Sequence, residues 1–366
     1  MVLQKAWAAF AAGIFSASAM AATFVYVSNA EDGDIGVYTL RPDGTLVPGE
    51  RFAAAKPVMP MTVSADKRFL IAGVRSKPFS AYTYTIDRAT GALKLVGTGP
   101  LAESFPYVHL ERNGRFLLGA SYGANLVSVN PVGADGRVGE PLQVIPTARN
   151  AHAIRTDNTN RFAFVPHLGT DQIFQFVFDA KNGRLSANTP PLVQLKAGTG
   201  PRHLVLSADN RFVYVLNELV STVTTLALDA KTGLLTEIGS VSTLPADSKL
   251  QPGAPRPTPG RNVENDIWAS DLHLTPDGRY LYTAERTGST INALRVEGEK
   301  LTYLGSTPTE KQPRGFAIDP TGRYLVVSGE QSPTISSYAI DGATGGLRLI
   351  GRYPAGKGAN WVEIVD

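Results

Sequence analysis

Apolar and polar positions alternate in short runs along this chain, and the runs return in a fixed order. The clearest unit is Gly198–Asp229, GTGPRHLVLSADNRFVYVLNELVSTVTTLALD. Apolar strands at Leu204–Leu206, Phe212–Leu216 and Thr222–Leu228 are separated there by a turn at Ser207–Asn210 and a loop at Asn217–Ser221. Turn-separated runs of this kind predict antiparallel hairpins.

The turn can be followed by its residues, a polar cluster ending in Arg and an aromatic: Lys67-Arg68-Phe69, Gly114-Arg115-Phe116, Asn160-Arg161-Phe162, Asn210-Arg211-Phe212, Gly278-Arg279-Tyr280 and Gly322-Arg323-Tyr324. The aromatic recurs at intervals of 47, 46, 50, 68 and 44 residues. A second turn follows later in each period, as in Ala89-Thr90-Gly91, Lys181-Asn182-Gly183, Lys231-Thr232-Gly233 or Thr344-Gly345-Gly346, and leads into a further strand. Each repeat therefore holds four strands. Such periods predict a β-propeller, because a lone four-stranded sheet cannot bury both faces until neighbours pack on it. Six complete units are visible. A seventh is split between three outer strands in the Thr23–Leu46 segment and an inner strand at Ala359–Val365. The expected fold is all-β, one seven-bladed propeller domain over residues 22–366 with four antiparallel strands per blade, closed by the C-terminal strand.

Ahead of the repeat, Lys5, the apolar run Ala6–Phe15 and the small residues ending Ala19-Met20-Ala21 match a secretory signal peptide over residues 1–21. The run is about half the ~20 residues a membrane span needs. Export to the periplasm is expected where the source has two membranes, with no membrane insertion after cleavage. The absence of cysteine rules out disulfides and thiolate metal sites, so stability must come from sheet packing and ring closure. A formal net charge of +3, without a Lys/Arg run, argues against a nucleic-acid partner. The long interval adds an insert at about 242–265 that carries Pro245, Pro252, Pro255, Pro257 and Pro259. It reads as a tolerated surface loop. A lid is the alternative, because the insert joins an outermost strand to the next inner strand and so emerges on the face where inner strands begin.

That geometry also sorts the polar residues. Inner strands begin at Met59, Pro106, His152, Arg202, Ser270, Arg314 and Asn360; just past the second strands stand Arg75, Tyr122, Leu168, Glu218, Arg286 and Glu330, with His167, Asn217 and Glu285 one place earlier. Both columns should ring one end of the central channel, which would bring together His152, His167, Arg202, His203, Asn217, Glu218, Asp271, Glu285, Arg286, Arg314 and Glu330. Several arginines, at least two carboxylates and histidine in one pocket suit binding of a polarised or anionic oxygen and movement of a proton. His109 and His273, three positions further in, read as core or inter-blade histidines, and Trp361 as a packing residue.

Several strings in this order, Gly200-Pro201-Arg202-His203, Asn217-Glu218-Leu219, Asp271-Leu272-His273-Leu274-Thr275-Pro276-Asp277-Gly278-Arg279, Glu285-Arg286-Thr287 and Gln312-Pro313-Arg314-Gly315-Phe316, make the chain resemble the propeller-type lactonases. This is the family of the bacterial propeller 6-phosphogluconolactonase and the fungal carboxy-muconate lactonizing enzyme. The resemblance implies a ring that makes or opens sugar-type lactones without a redox cofactor, with acid/base and anion-binding roles on His152, Arg202, Glu218 and Arg286, and no cofactor or metal-ligating residue is expected at the site. A signal peptide and a proline-rich insert depart from the cytoplasmic members, and sugar phosphates are not normal periplasmic metabolites. Free D-glucono-1,5-lactone, hydrolysed to gluconate, is therefore the leading expectation. The alternatives are 6-phosphogluconolactone, a muconate-type lactonizing reaction, or a non-enzymatic binding propeller. In the expected mechanism Arg202 and Arg286 hold the carbonyl oxygen, while Glu218 or His152 takes the proton of the attacking water. Calcium-dependent six-bladed lactonases fit poorly, because seven units are present and arginine at the mouth would repel a cation. Quinone-dependent dehydrogenases carry recurring Trp motifs, whereas this chain has only Trp7, Trp268 and Trp361.

Overall fold

A computed structural model describes residues 22–256 and 259–366; the expected leader, residues 1–21, lies outside them. The described residues form seven four-stranded antiparallel sheets and no helix. Blade 1 combines Thr23–Asn29, Asp34–Leu40 and Leu46–Ala53 with Ala359–Val365 as its inner strand. The others follow in order: blade 2 from Val58 to Pro100, blade 3 from Tyr107 to Pro146, blade 4 from Arg155 to Gln194, blade 5 from Pro201 to Ser242, blade 6 from Ala269 to Pro308 and blade 7 from Pro313 to Pro354.

The second strand of most blades is buried at every residue, as in Phe116–Ser121, Phe162–His167 and Phe212–Asn217, because a neighbouring sheet covers each of its faces. The outermost strand Leu235–Ser242 is almost wholly exposed. The core is thus a set of inter-blade layers, and each fully buried Val, Leu or Phe in them contributes about 1.5–3 kcal/mol.

Each aromatic turn closes the same way. Ser207 Oγ accepts from the amides of Arg211 and Phe212 at 3.2 and 2.9 Å, and Asp157 Oδ1 does the same for Arg161 and Phe162 at 2.8 and 2.9 Å. The residue before the arginine is left-handed, with φ of 60° at Asn210 and 73° at Gly278, which is why Gly and Asn recur there. The arginine stacks on the aromatic of its own turn, from 4.9 Å for Arg68 to 5.6 Å for Arg279. That aromatic in turn packs on the hairpin glycine of the next blade. A Cβ on Gly183 would lie 2.3 Å from Phe116, and one on Gly233 would lie 2.1 Å from Phe162. The two periodic markers in the sequence are therefore two sides of one contact that locks adjacent blades.

Closure follows the same logic. Ala359–Val365 pairs antiparallel with Thr23–Asn29, placing Phe24 opposite Val365 and Val27 opposite Val362. The ladder between inner and second strand shifts register in blades 1, 2, 5, 6 and 7, at Asn29, Val58–Met61, Pro201–His203, Ala269–Leu272 and Pro313–Gly315. An irregularity of this kind leaves an extra residue out of the ladder and re-aims its side chain. The residues so placed include Arg202, Asp271, Arg314 and Asn360.

Candidate active site

Because Arg202 sits in the shifted register of blade 5, its side chain meets its neighbour's, and Arg202 Nη1 donates to His203 Nε2 at 3.0 Å. Arg202 Nε donates to Glu218 Oε2 at 2.7 Å, and Arg286 Nη2, from blade 6, donates to the same oxygen at 3.0 Å. Arg286 also donates to the carbonyls of Trp268 and Ala269 at 3.0 and 3.2 Å. The three charged residues are 1–4% exposed. Burial lowers Arg202 to about 10 and Arg286 to about 9, against the attraction of Glu218, and both stay cationic at neutral pH. Among the described residues, Arg202 Nη2, Arg286 Nη1 and Glu218 Oε1 have no hydrogen-bond partner.

Arginine only donates, so His203 Nε2 must accept, and its Nδ1–H donates to Asp271 Oδ1 at 2.9 Å. Asp271 Oδ2 meets His273 Nε2 at 3.1 Å. Burial would raise the Asp271 carboxyl, but the adjacent His273 and His203 outweigh it and hold it far below the usual carboxylate range. Burial, then Arg202, lowers His203 to about 3. The same two influences push His152 well below its ordinary value. Its ring lies 5.1 Å from that of His203, and its Nδ1 is buried without a partner.

Arg314 and Glu330 pair loosely at 3.5 Å. Arg75, on the blade 2 side of the channel, donates to Ser104 Oγ at 2.9 Å and to Met59 Sδ at 3.2 Å, and has no carboxylate within 4.0 Å among the described residues. Burial, then repulsion from Arg314, lowers it to about 10.

His167, Asn217 and Glu285 do not join this group. Successive strand residues point to opposite faces, so placement one position before Leu168, Glu218 and Arg286 turns them away from the channel. His167 packs on Phe174 with ring centroids 4.4 Å apart, Asn217 Nδ2 donates to Thr222 and Thr224, and Glu285 accepts from the amides of Trp268 and Gly288. They hold loops and strands, which corrects their expected convergence. His109, His273 and Trp361 also depart from a pure packing role, since all three line an axial cavity.

The insert is not a free surface loop. Gly253 N donates to Leu219 O at 2.8 Å, and Tyr122 Oη in blade 3 donates to Arg256 O at 2.8 Å, so the segment reaches over the channel mouth from blade 5 to blade 3. Arg256 and Arg286 lie 3.8 and 3.6 Å from the centroid of the Trp268 ring. At those distances they must occupy opposite faces of the indole. Arg75, Tyr122 and Trp268 are site residues that sequence reasoning left out. Arg75 and Tyr122 stood in the same column as Glu218, so the column carried the signal, whereas nothing in the pattern marked Trp268.

Residues 21–364 match the family model described as Lactonase, 7-bladed beta-propeller. The chain is 37% identical over 343 residues to a 6-phosphogluconolactonase of Pectobacterium carotovorum subsp. carotovorum (strain PC1), covering 93% of this chain and 98% of that one. It is 38% identical over 342 residues to a 6-phosphogluconolactonase of Erwinia tasmaniensis, with 93% and 98% covered. The solved periplasmic gluconolactonase of Pseudomonas aeruginosa superposes with a TM-score of 0.83 at 24% identity, over 94% of this chain and 99% of that one; at that identity the likeness is one of fold.

Proposed function

Because the chain belongs to the seven-bladed β-propeller lactonases, lactone hydrolases that act on small sugar lactones, we propose that its substrate is a 6-phosphogluconolactone and that Arg75 and Arg314 seat the phosphate. This reverses the expectation of free gluconolactone. The relatives at 37–38% identity are 6-phosphogluconolactonases. The observation that carries the proposal is the charge at the mouth. Glu218 balances one of the two guanidiniums beside it, Glu330 balances Arg314 at 3.5 Å, and Arg75 has no carboxylate within 4.0 Å among the described residues. A dianion is what such a surplus is suited to hold.

The catalytic step uses the atoms left unpartnered. Arg202 Nη2 and Arg286 Nη1 bind the lactone carbonyl oxygen and stabilise the oxyanion that forms when water adds to the carbonyl carbon. Glu218 Oε1 takes the proton of that water and returns it to the ring oxygen as the C–O bond breaks, which leaves an aldonic acid. Burial and the nearby Arg202 guanidinium hold the His152 imidazole well below its ordinary value, so it serves as a neutral hydrogen-bond partner. With the cluster almost fully buried, the insert must shift to admit substrate, which favours the lid reading.

Kinetics on the phosphorylated and free lactones, corrected for spontaneous hydrolysis, test this. Arg75→Ala should raise KM for 6-phosphogluconolactone roughly tenfold or more and leave gluconolactone within about twofold. Equal effects on both would remove the phosphate assignment. The expected leader favours free gluconolactone as a second reading, with the protein in the periplasm. A preference for the free lactone in this assay, together with recovery of the mature protein in the periplasmic fraction, would establish that reading.

A further inference from the structure

Behind His203, on the side away from Glu218, the channel widens into a cavity of about 310 Å3 that hydrolysis does not use. Its aromatic floor is Tyr107, His203 and Trp361, with Tyr107 centroids 5.0 Å from His203 and 5.6 Å from Trp361, both edge-on. Its polar wall is His109, Arg155, Asp271, His273 and Glu363. Several of these lie deep in the ring yet keep solvent contact through the cavity. Asp271 is committed to His203 and His273. Glu363 Oε1 accepts from the Trp361 indole at 2.9 Å, and burial pushes its carboxyl up to about 7. Arg155 has no carboxylate within 4.0 Å among the described residues.

We propose that this axial cavity is a second binding site, for a small polyhydroxylated monocarboxylate of the aldonate class. Arg155, which faces Tyr107 and Glu363 without a direct carboxylate pair, supplies the cation for the carboxylate. Glu363 and His109 offer donors and acceptors for hydroxyl groups, and Trp361 and Tyr107 present apolar faces to the carbon chain. Water occupies about 30 Å3 per molecule in the liquid, so the volume holds roughly ten waters, or a ligand of about 10 to 15 heavy atoms. A dinucleotide or an oligosaccharide is too large. His203 is the partition between the two chambers, with Nδ1 on Asp271 and Nε2 on Arg202. A ligand that draws on Asp271 is thus felt, through one imidazole, by a guanidinium of the lactone site. An aldonate is also what lactone opening releases, but the cavity's chemistry does not depend on that reaction.

Calorimetric titration of the purified protein with D-gluconate tests the site without any turnover. Binding with a Kd near or below ~1 mM is expected, weakened about tenfold or more by Arg155→Met and unchanged within about twofold by Arg75→Ala. Glucose, which lacks the carboxylate, and acetate, which lacks the hydroxyls, should both bind more weakly. Trp361→Phe, which keeps an aromatic ring but removes the indole partner of Glu363, provides a second variant should Arg155→Met not fold. No heat of binding to about 10 mM gluconate, or loss of binding in Arg75→Ala and not in Arg155→Met, would overturn the proposal. The first result would mean an empty water-filled channel, and the second a ligand bound at the mouth.

Discussion

Glu218→Gln tests the lactone site most directly, because one carboxylate oxygen serves two buried guanidiniums. On sequence alone the substitution should slow turnover and leave the melting temperature almost unchanged. The structure alters that expectation. Glu218 Oε2 is 2.7 Å from Arg202 Nε and 3.0 Å from Arg286 Nη2, with side-chain exposures of 5%, 1% and 1%. An amide at this position removes the charge that pairs directly with two buried cations, and breaking such a pair costs about 3–5 kcal/mol. With ~2.1 cal/mol/K of unfolding entropy per residue, residues 22–366 give about 0.7 kcal/mol/K, so Tm should fall by roughly 4–7 °C. Loss of the base should lower kcat by about 10²–10⁴. The Glu218→Gln/Arg202→Met double variant should lose less stability than the sum of its parts, since the second change removes one stranded cation. Scanning calorimetry and a pH-stat assay read both effects. A Tm within about 1 °C of wild type would refute the ion-cluster argument, and wild-type kcat would refute the assignment of the base.

Removing Ala359–Val365 should abolish soluble expression, since it strips the partner from Thr23–Asn29 and opens a bare sheet edge; a truncated protein with the full-length Tm would show that closure does not rest on this strand. Tyr122→Phe deletes the hydrogen bond to Arg256 O and should change KM for both lactones by about two- to tenfold with kcat retained; unchanged KM would count against the insert as a lid. Glu363, pushed up from 4.5 to about 7 by burial, binds more protons folded than unfolded between those values, so stability should fall as pH rises through that window. Glu363→Gln should flatten that slope in denaturant titrations at pH 5 and pH 8, and an identical slope in the variant would show that the carboxyl does not titrate there.

How much could be read in advance differs between ring and site, and particular residues show why. The aromatic turns and hairpin glycines were legible because each encodes a local requirement, a left-handed residue at Asn210 or space for Phe162 at Gly233, and the requirement repeats with every blade. Repetition gives the period, and the split unit gives the closing strand. The columns that contain Arg202, Glu218 and Arg286 were legible for the same reason, since topology alone puts those strand ends on one face. Which way a side chain turns at a strand end was not legible. Asn217 and Glu218 are adjacent, yet one holds a neighbouring strand and the other anchors two arginines, because successive side chains point to opposite faces and the register shift at Arg202 resets the count. Nor could the pattern show that the insert reaches Tyr122, or that Arg75 is left without a carboxylate. The sequence by itself therefore determined the repeat, the ring and the two columns of strand-end residues from which the groups at its mouth are drawn, all set by local and periodic constraints. Only the tertiary structure decided which groups face one another and which charge stays uncompensated, because those depend on bulges and on distances between blades that no short-range pattern encodes.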